Sequence, residues 1–282
     1  MMMTFGKIEE EYSGFEDSGI LLQSCPYDGT STWGKGADKA FGALMEASEH
    51  MELYDIETGS EVYRKGIHIL PELRLAGDPE EVFRQIYSKT KELLRHDKFL
   101  TFIGGEHSVS IGIIKAFYEK YKDLTVLQLD AHTDLRPEYH ESAYNHACAM
   151  HDASPNTRLI QAGIRSMDSS ELDFFDPSRC VYARDMQDND DWIDRVISLL
   201  GENVYISLDV DVFDPSVMPS TGTPEPGGMT WYQVIKMLRR VFAASSVRGF
   251  DIVEFAPQEN RRADAFMLVK LYYKMLSYKY YG

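Results

Sequence analysis

Positive charge is scarce in this 282-residue chain: 29 lysines and arginines stand against 45 aspartates and glutamates, a formal net charge of −16. Nucleic acid and anionic membranes demand a basic surface, so neither is expected as a main partner, whereas a small cationic substrate suits the balance. Cysteine is scarcer still. Cys25, Cys148 and Cys180 are odd in number, widely spaced and form no CxxC pair, which argues against a disulfide framework or a zinc ribbon and predicts a reducing cytoplasm. Apolar runs of about 18 residues are missing, and no basic, apolar leader opens the chain at Met1, Met2 and Met3, so a soluble protein is expected. Internal repeats and low-complexity tracts are missing too. The remainder is a globular composition, 44% apolar and 12% aromatic, without an obvious linker, and it predicts a single α/β domain over 1–282.

Short apolar runs of strand type fall at residues 20–23, 67–70, 99–103, 125–129, 158–162, 180–183, 204–208 and 247–253. Helical patterns follow most of them. In 80–95, Val82, Ile86 and Leu93 share one side; Val109, Ile113, Ala116 and Phe117 repeat at helical spacing after Ser108, read as an N-cap; 192–200 and 231–241 are amphipathic. Strand alternating with helix implies a parallel sheet covered on both faces. The acidic run 185–191 suits the start of the helix after it. The tyrosine-rich end, with Tyr272, Tyr273, Tyr278, Tyr280 and Tyr281, predicts a packed helix and a tail in reach of a neighbouring subunit.

Two aspartate clusters carry the chemistry: Asp130, His132 and Asp134 in Leu-Asp-Ala-His-Thr-Asp, and Asp209 and Asp211 in Ser-Leu-Asp-Val-Asp-Val-Phe-Asp-Pro. Each follows a buried-type strand, where binding sites of open parallel sheets form. Burying four carboxylates together costs several kcal/mol per ion, about the scale at which bound cations become necessary. In extended chain, Asp209 and Asp211 would share a face, as would Asp130, His132 and Asp134. His107, in Gly-Gly-Glu-His-Ser, completes a two-metal inventory; Glu106 is expected to face away from it as a supporting hydrogen-bond acceptor or a surface charge, and Asp214, before Pro215, to be a turn residue. Six side chains satisfy two metals only by bridging, which sets ions about 3.5–4 Å apart. The oxygen-rich donor set suits two Mn²⁺ per chain, and its near-neutral to negative charge welcomes a guanidinium cation.

These motifs together resemble the three signature motifs of the ureohydrolase (arginase, agmatinase, formimidoylglutamase) family, and the likeness runs from about Ser24 to Met275. It implies a three-layer α/β/α fold with an eight-stranded, mainly parallel sheet, two Mn²⁺ ions and hydrolysis of a guanidino group to urea and an amine. By motif, His107 would bind one metal and His132 the other, Asp130, Asp134 and Asp209 would be shared, and Asp211 would finish the second site. Asp134 resembles the carboxylate that relays a proton to the leaving amine. Glu254, in Asp-Ile-Val-Glu-Phe-Ala-Pro, resembles the one that holds the guanidinium, and His146 the histidine that shuttles protons or touches substrate. His140 and His151 would line the loop, and His50, His68 and His96 read as structural.

The loop 135–150 resembles the agmatinase version, so agmatine, cleaved to putrescine and urea in polyamine synthesis, is the expected substrate. Arg136 complicates this, since it could pair with a substrate carboxylate. The alternatives are another guanidino hydrolase (guanidinobutyrase or arginase), a one-zinc deacetylase of the same general fold, and a non-catalytic binding protein that retains the fold. Family likeness implies a homotrimer or homohexamer.

Overall fold

Apolar side chains of the strands alternate between two destinations, and that alternation builds the layers. The computed structural model describes residues 3–282, so Met1 and Met2, where the leader was sought, lie outside the described residues. The strands are β1 (Ile20–Cys25), β2 (Ile67–Ile69), β3 (Phe99–Gly104), β4 (Thr125–Leu129), β5 (Arg158–Ile164), β6 (Cys180–Tyr182), β7 (Asn203–Asp209) and β8 (Ser246–Val253). They form one eight-stranded sheet in the order β2-β1-β3-β8-β7-β4-β5-β6, every pair parallel. In β1, Ile20 and Leu22 enter one core and Leu21 and Cys25 the other; in β3, Phe99 and Ile103 part from Leu100 and Phe102 in the same way. Two apolar faces with period two are what a parallel sheet covered on both sides requires.

The helices are α1 (Ala40–Ser48), α2 (Pro79–Leu93), α3 (Val109–Lys120), α4 (Ala153–Asn156), α5 (Asp191–Leu199), α6 (Trp231–Ala244) and α7 (Arg262–Tyr281). Phe41 of α1, Ile193 of α5, Leu238 of α6 and Leu268 of α7 pack in one core, while Ile86 of α2 and Ile113 of α3 pack in the other. The fold is therefore three-layer α/β/α. Helix α2 starts at Pro79 behind a capping box of Asp78 and Glu81, and α6 behind one of Thr230 and Gln233. Ser108 does not cap α3 as expected: its backbone is already helical and its Oγ donates to Glu106 Oε1 (2.8 Å) instead. Tyr272, Tyr273 and Tyr278 are buried inside the chain, leaving Tyr281 as the exposed part of the tyrosine-rich end. Among the described residues no helix is long and apolar enough to cross a membrane.

Four adjacent strands, β3, β8, β7 and β4, form the middle of the sheet. Their carboxyl ends lead directly into His107, Glu254, Asp209 and Asp130. The β3 to β4 connection crosses over β8 and β7, the kind of topological switch at which open sheets leave a crevice.

One loop above this edge is clamped by Asp214, in the turn role expected of it. Its Oδ1 accepts from Ser216 N (2.9 Å) and Ser216 Oγ (2.5 Å), and its Oδ2 from Gly227 N (2.8 Å) and Gly228 N (3.2 Å). A Cβ at Gly228 would lie 2.5 Å from Asp214 N, so only glycine fits there. These bonds to the charged form hold the Asp214 carboxyl down at about 2, the Ser216 hydroxyl first among them. A depressed carboxylate stabilises the fold above its unfolded pKa and loses that effect as pH falls through its folded value. Asp214→Ala is expected to cost about 1 kcal/mol at neutral pH, with the difference in urea midpoint from the parent shrinking between pH 4 and pH 2; a constant difference down to pH 2 would contradict the clamp.

Candidate metal centre

Each of the paired aspartates divides its two oxygens between the backbone and a common centre. Asp130 Oδ1 accepts from His132 N (2.6 Å) and Asp209 Oδ1 from Asp211 N (2.8 Å), so both runs curl in the same turn, closed by a side chain two residues back. Asp211 Oδ1 accepts from Ala131 N (2.9 Å), tying the two turns together. The extended chain expected for both clusters is thus not what forms. Val210–Val212 is a 3-10 turn, because the Asp209 carboxylate that accepts the Asp211 amide bends the chain away from a strand, and Asp134 sits at φ 52°, in the left-handed region.

The second oxygens converge. Asp134 Oδ2, Asp130 Oδ2 and Asp209 Oδ2 lie 3.0, 3.1 and 3.3 Å from His107 Nδ1, and Asp211 Oδ2 lies 2.9 Å from His132 Nδ1. Yet His107 Nδ1 and Asp211 Oδ2 are buried without an aligned hydrogen-bond partner. Atoms this close but not aimed at one another are aimed at a shared point. Two overlapping sets, His107 with Asp130 and Asp134, and Asp130 with His132 and Asp211, have donor atoms within 4.8 Å of one another, the spacing that holds a metal ion. The structure brings all six predicted ligands together, with Asp130 common to both sets.

Electrostatics make the same demand. Burial and the neighbouring Asp211 and Asp130 push the Asp209 carboxyl well above the usual range, and burial with Asp130 raises Asp134 to about 7. Burial works against a charged His107, but contacts with Asp130, Asp134 and Asp209 outweigh it and raise the imidazole well above its ordinary value; Asp211 and Asp130 likewise take His132 up to about 12. Too many negative groups share this space for all to ionise without a cation.

Glu254 and His146 border the same space. Glu254, at φ 64°, is buried; its Oε1 accepts from His107 N (2.7 Å), and burial followed by the charge of Glu106 lifts its carboxyl well above the usual range. A cleft of about 230 Å³ opens over the centre between Asp134, Asp209, Glu254, His146, Tyr139 and Thr223. Burial, then the charges of His107 and His132, lowers His146 to about 4, so its ring is neutral at physiological pH. Arg136 reaches the cleft with its guanidinium 4.3 Å over the Tyr139 ring and 3.5 and 3.6 Å from Asp168 and Glu171. A larger hollow of about 650 Å³ between α1 and the start of α7 contains none of the clustered acids.

A profile of the arginase family matches residues 18–277. The chain belongs to the arginase family. It is 33% identical to the N(1)-aminopropylagmatine ureohydrolase of Synechocystis over 95% of this chain and 92% of that protein. It is 30% identical to the agmatinase of Pyrococcus horikoshii over 93% and 92%. Among solved structures it resembles the agmatine ureohydrolase of Thermoplasma volcanium, at 29% identity and a TM-score of 0.87, over 98% of this chain and 94% of that one.

Around the shared architecture lie residues that the motifs alone did not single out. His107 Nε2 meets Ser207 Oγ (3.0 Å), which donates to Asp251 Oδ1 (2.7 Å); Tyr205 OH donates to Asp251 Oδ2 (2.8 Å). Arg165 Nη2 donates to the carbonyls of Asp211 (2.6 Å) and Glu225 (2.8 Å), bracing the second turn. Glu171 accepts from Thr133 Oγ1 and Leu135 N (2.9 Å), fixing the start of the 135–150 loop. An aspartate among the apolar residues of the buried second half of β8, between Phe250 and Ile252, was the available signal for Asp251. Glu106 turns its carboxylate to Thr30 and Ser108 in the acceptor role expected of it, fully buried rather than a surface charge.

Manganese added to metal-depleted protein is expected to raise Tm by several degrees, since an ion at about 100 times its Kd stabilises by about 2.7 kcal/mol. Asp209→Asn replaces a carboxyl whose ionised form burial, Asp211 and Asp130 disfavour, and is expected to leave the metal-depleted protein at least as stable while abolishing that rise. A variant that keeps the full manganese response would refute the cage.

Proposed function

We propose that this chain hydrolyses the guanidino group of a guanidinoalkylamine, with agmatine, giving putrescine and urea, as the leading substrate. The charge of the cleft carries this reading. Asp134, Asp209 and Glu254 face it, while its arginine, Arg136, is already engaged by Asp168, Glu171 and Tyr139. A substrate ending in an amine meets attraction there, and one ending in a carboxylate meets repulsion without a free partner.

The donor set fits two Mn²⁺ ions, held by His107, Asp130, His132, Asp134, Asp209 and Asp211, with four carboxylates against two imidazoles. Such ions lower the pKa of water toward neutrality and stabilise charge that develops on the attacked group. Glu254 then pairs with the guanidinium, fixing its carbon over the centre through charge-assisted hydrogen bonds. Hydrolysis joins the oxygen of water to that carbon and breaks its bond to the alkyl nitrogen, which leaves as the amine after gaining a proton. Asp134, which faces the cleft beside the reacting carbon, takes up and returns that proton. His146, neutral in the cleft wall, is placed to exchange protons with the departing amine.

The Synechocystis relative favours a second reading, N(1)-aminopropylagmatine. A hollow of about 360 Å³ shares Thr32 with the cleft and is lined by Ser31, Ser142 and Asn145, room into which an aminopropyl arm could extend. In either case we place the enzyme in polyamine synthesis in the cytoplasm, where its three buried free cysteines would stay reduced, and as a homotrimer or homohexamer.

Urea release with Mn²⁺ over agmatine, N(1)-aminopropylagmatine, arginine, guanidinobutyrate and formimidoylglutamate tests the proposal. The two amines are expected to give the highest kcat/KM; preference for arginine or guanidinobutyrate would refute the charge argument, and silence with every compound would refute catalysis. Asp130→Asn is expected to lose both metal and turnover. Glu254→Gln is expected to keep metal and raise KM roughly tenfold or more, as for loss of a buried charged hydrogen bond.

A further inference from the structure

The cleft histidine is gripped from behind by a residue with no role so far. Glu106 is 0% exposed, and both its oxygens are occupied: Oε1 accepts from Thr30 N (3.2 Å), Thr30 Oγ1 (2.8 Å) and Ser108 Oγ (2.8 Å), and Oε2 from Ser108 N (2.8 Å). Thr30 lies on the segment that leaves β1. Its Oγ1 has a second partner, the backbone N–H of His146, which donates to it at 2.9 Å. One hydroxyl therefore gives its proton to a buried carboxylate and its lone pair to the amide of the cleft histidine. That orientation is enforced, because the Glu106 carboxylate can only accept when ionised and the His146 amide can only donate.

The close approach is built into the backbone. Gly105 N donates to Cys25 O (2.8 Å) and Glu106 N to Tyr27 O (2.9 Å), and a Cβ on Gly105 would lie 1.8 Å from Tyr27 O, so only glycine lets the two segments touch. No side chain among the described residues hydrogen-bonds the His146 ring, and the nearest aromatic, Tyr139, is 6.4 Å away between centroids. The ring is thus located by its backbone, and its backbone by Thr30.

We propose that Glu106 and Thr30 are positioning residues, which set the His146 imidazole against the substrate cleft by holding its backbone amide. This rests on the reading of His146 as the cleft's proton-exchanging group. Thr30→Val keeps the shape and removes the hydroxyl. It is expected to lower kcat on agmatine roughly tenfold or more, within the range of lost general acid–base catalysis, while KM and the manganese-induced rise in Tm stay near the parent's. In metal-depleted protein, the His146 ring followed by NMR is expected to titrate closer to free imidazole than in the parent. Thr30→Ser restores both. Glu106→Gln, which keeps an acceptor for Thr30 but sets a donor against Ser108 N, is expected to shift both in the same direction by less. Parental kcat and parental His146 titration in Thr30→Val would overturn the proposal, as would failure of Thr30→Ser to recover them. If the parent hydrolyses no guanidino compound, the catalytic reading fails alone, and the NMR titration still decides whether Thr30 places His146.

Discussion

Like charges held together at one edge of a sheet are the constraint on which this structure turns. Two carboxylates about 4 Å apart repel by about 4 kcal/mol at an effective dielectric of about 20, and here Asp130, Asp134, Asp209 and Asp211 meet in one buried space with Glu254 behind them. Backbone register holds them there. Leu129 pairs with Leu208, Leu208 with Ile252 and Ile252 with Ile103, so β4, β7, β8 and β3 end nearly level. Residues just past that row are delivered to one height whatever their charge. The hydrophobic cores on both faces stabilise the register, and the register forces the acids into company that only cations make tolerable.

Backbone hydrogen bonds then sort the oxygens. Because Oδ1 of Asp130, Asp209 and Asp211 each accepts an amide, each carboxylate has one fixed oxygen, and its other oxygen has little choice of direction. Asp134 and Glu254 reach the same space from backbones at φ 52° and 64°, where a residue with a Cβ is strained by about 1 kcal/mol or more. Strain and repulsion both fall on the residues nearest the chemistry. The large apolar layers below supply the margin that lets such a centre persist.

All eight strands were legible in the sequence because their apolar, β-branched runs are short and bounded, and the helices that were legible present one apolar stripe. Helix α1 was not. Its buried residues, Ala40, Phe41, Leu44, Met45 and Ser48, follow helical spacing, but the outward positions Gly42, Ala43 and Ala47 are small and non-polar, so only Glu46 marks a polar face. The clusters stood out because aspartates after buried strands are costly, yet their shape was misjudged: periodicity describes strands, and these runs are turns closed by their own side chains. Ser108 looked like a cap from its place before an apolar helix, but Glu106, two residues earlier, competes for both its amide and its hydroxyl. Glu106, Thr30 and His146 are far apart in sequence, and only the fold shows that they touch.

The chain behind His107 decides which nitrogen that residue offers. Ser207 Oγ donates to Asp251, so its oxygen is left to accept, and His107 Nε2 facing it must carry the proton. Tyr205 OH, donating to the other Asp251 oxygen, keeps that carboxylate from turning away. With Nε2 committed as a donor, the lone pair of Nδ1 faces oxygens of Asp130, Asp134 and Asp209, none of them aligned to share a hydrogen with it. A bare lone pair among carboxylate oxygens is unfavourable unless a proton or a metal ion stands between them, so the buried Asp251 is part of what makes the centre cation-binding. It does this by fixing a tautomer and a ring orientation, the service a carboxylate behind a metal-binding imidazole is suited to perform.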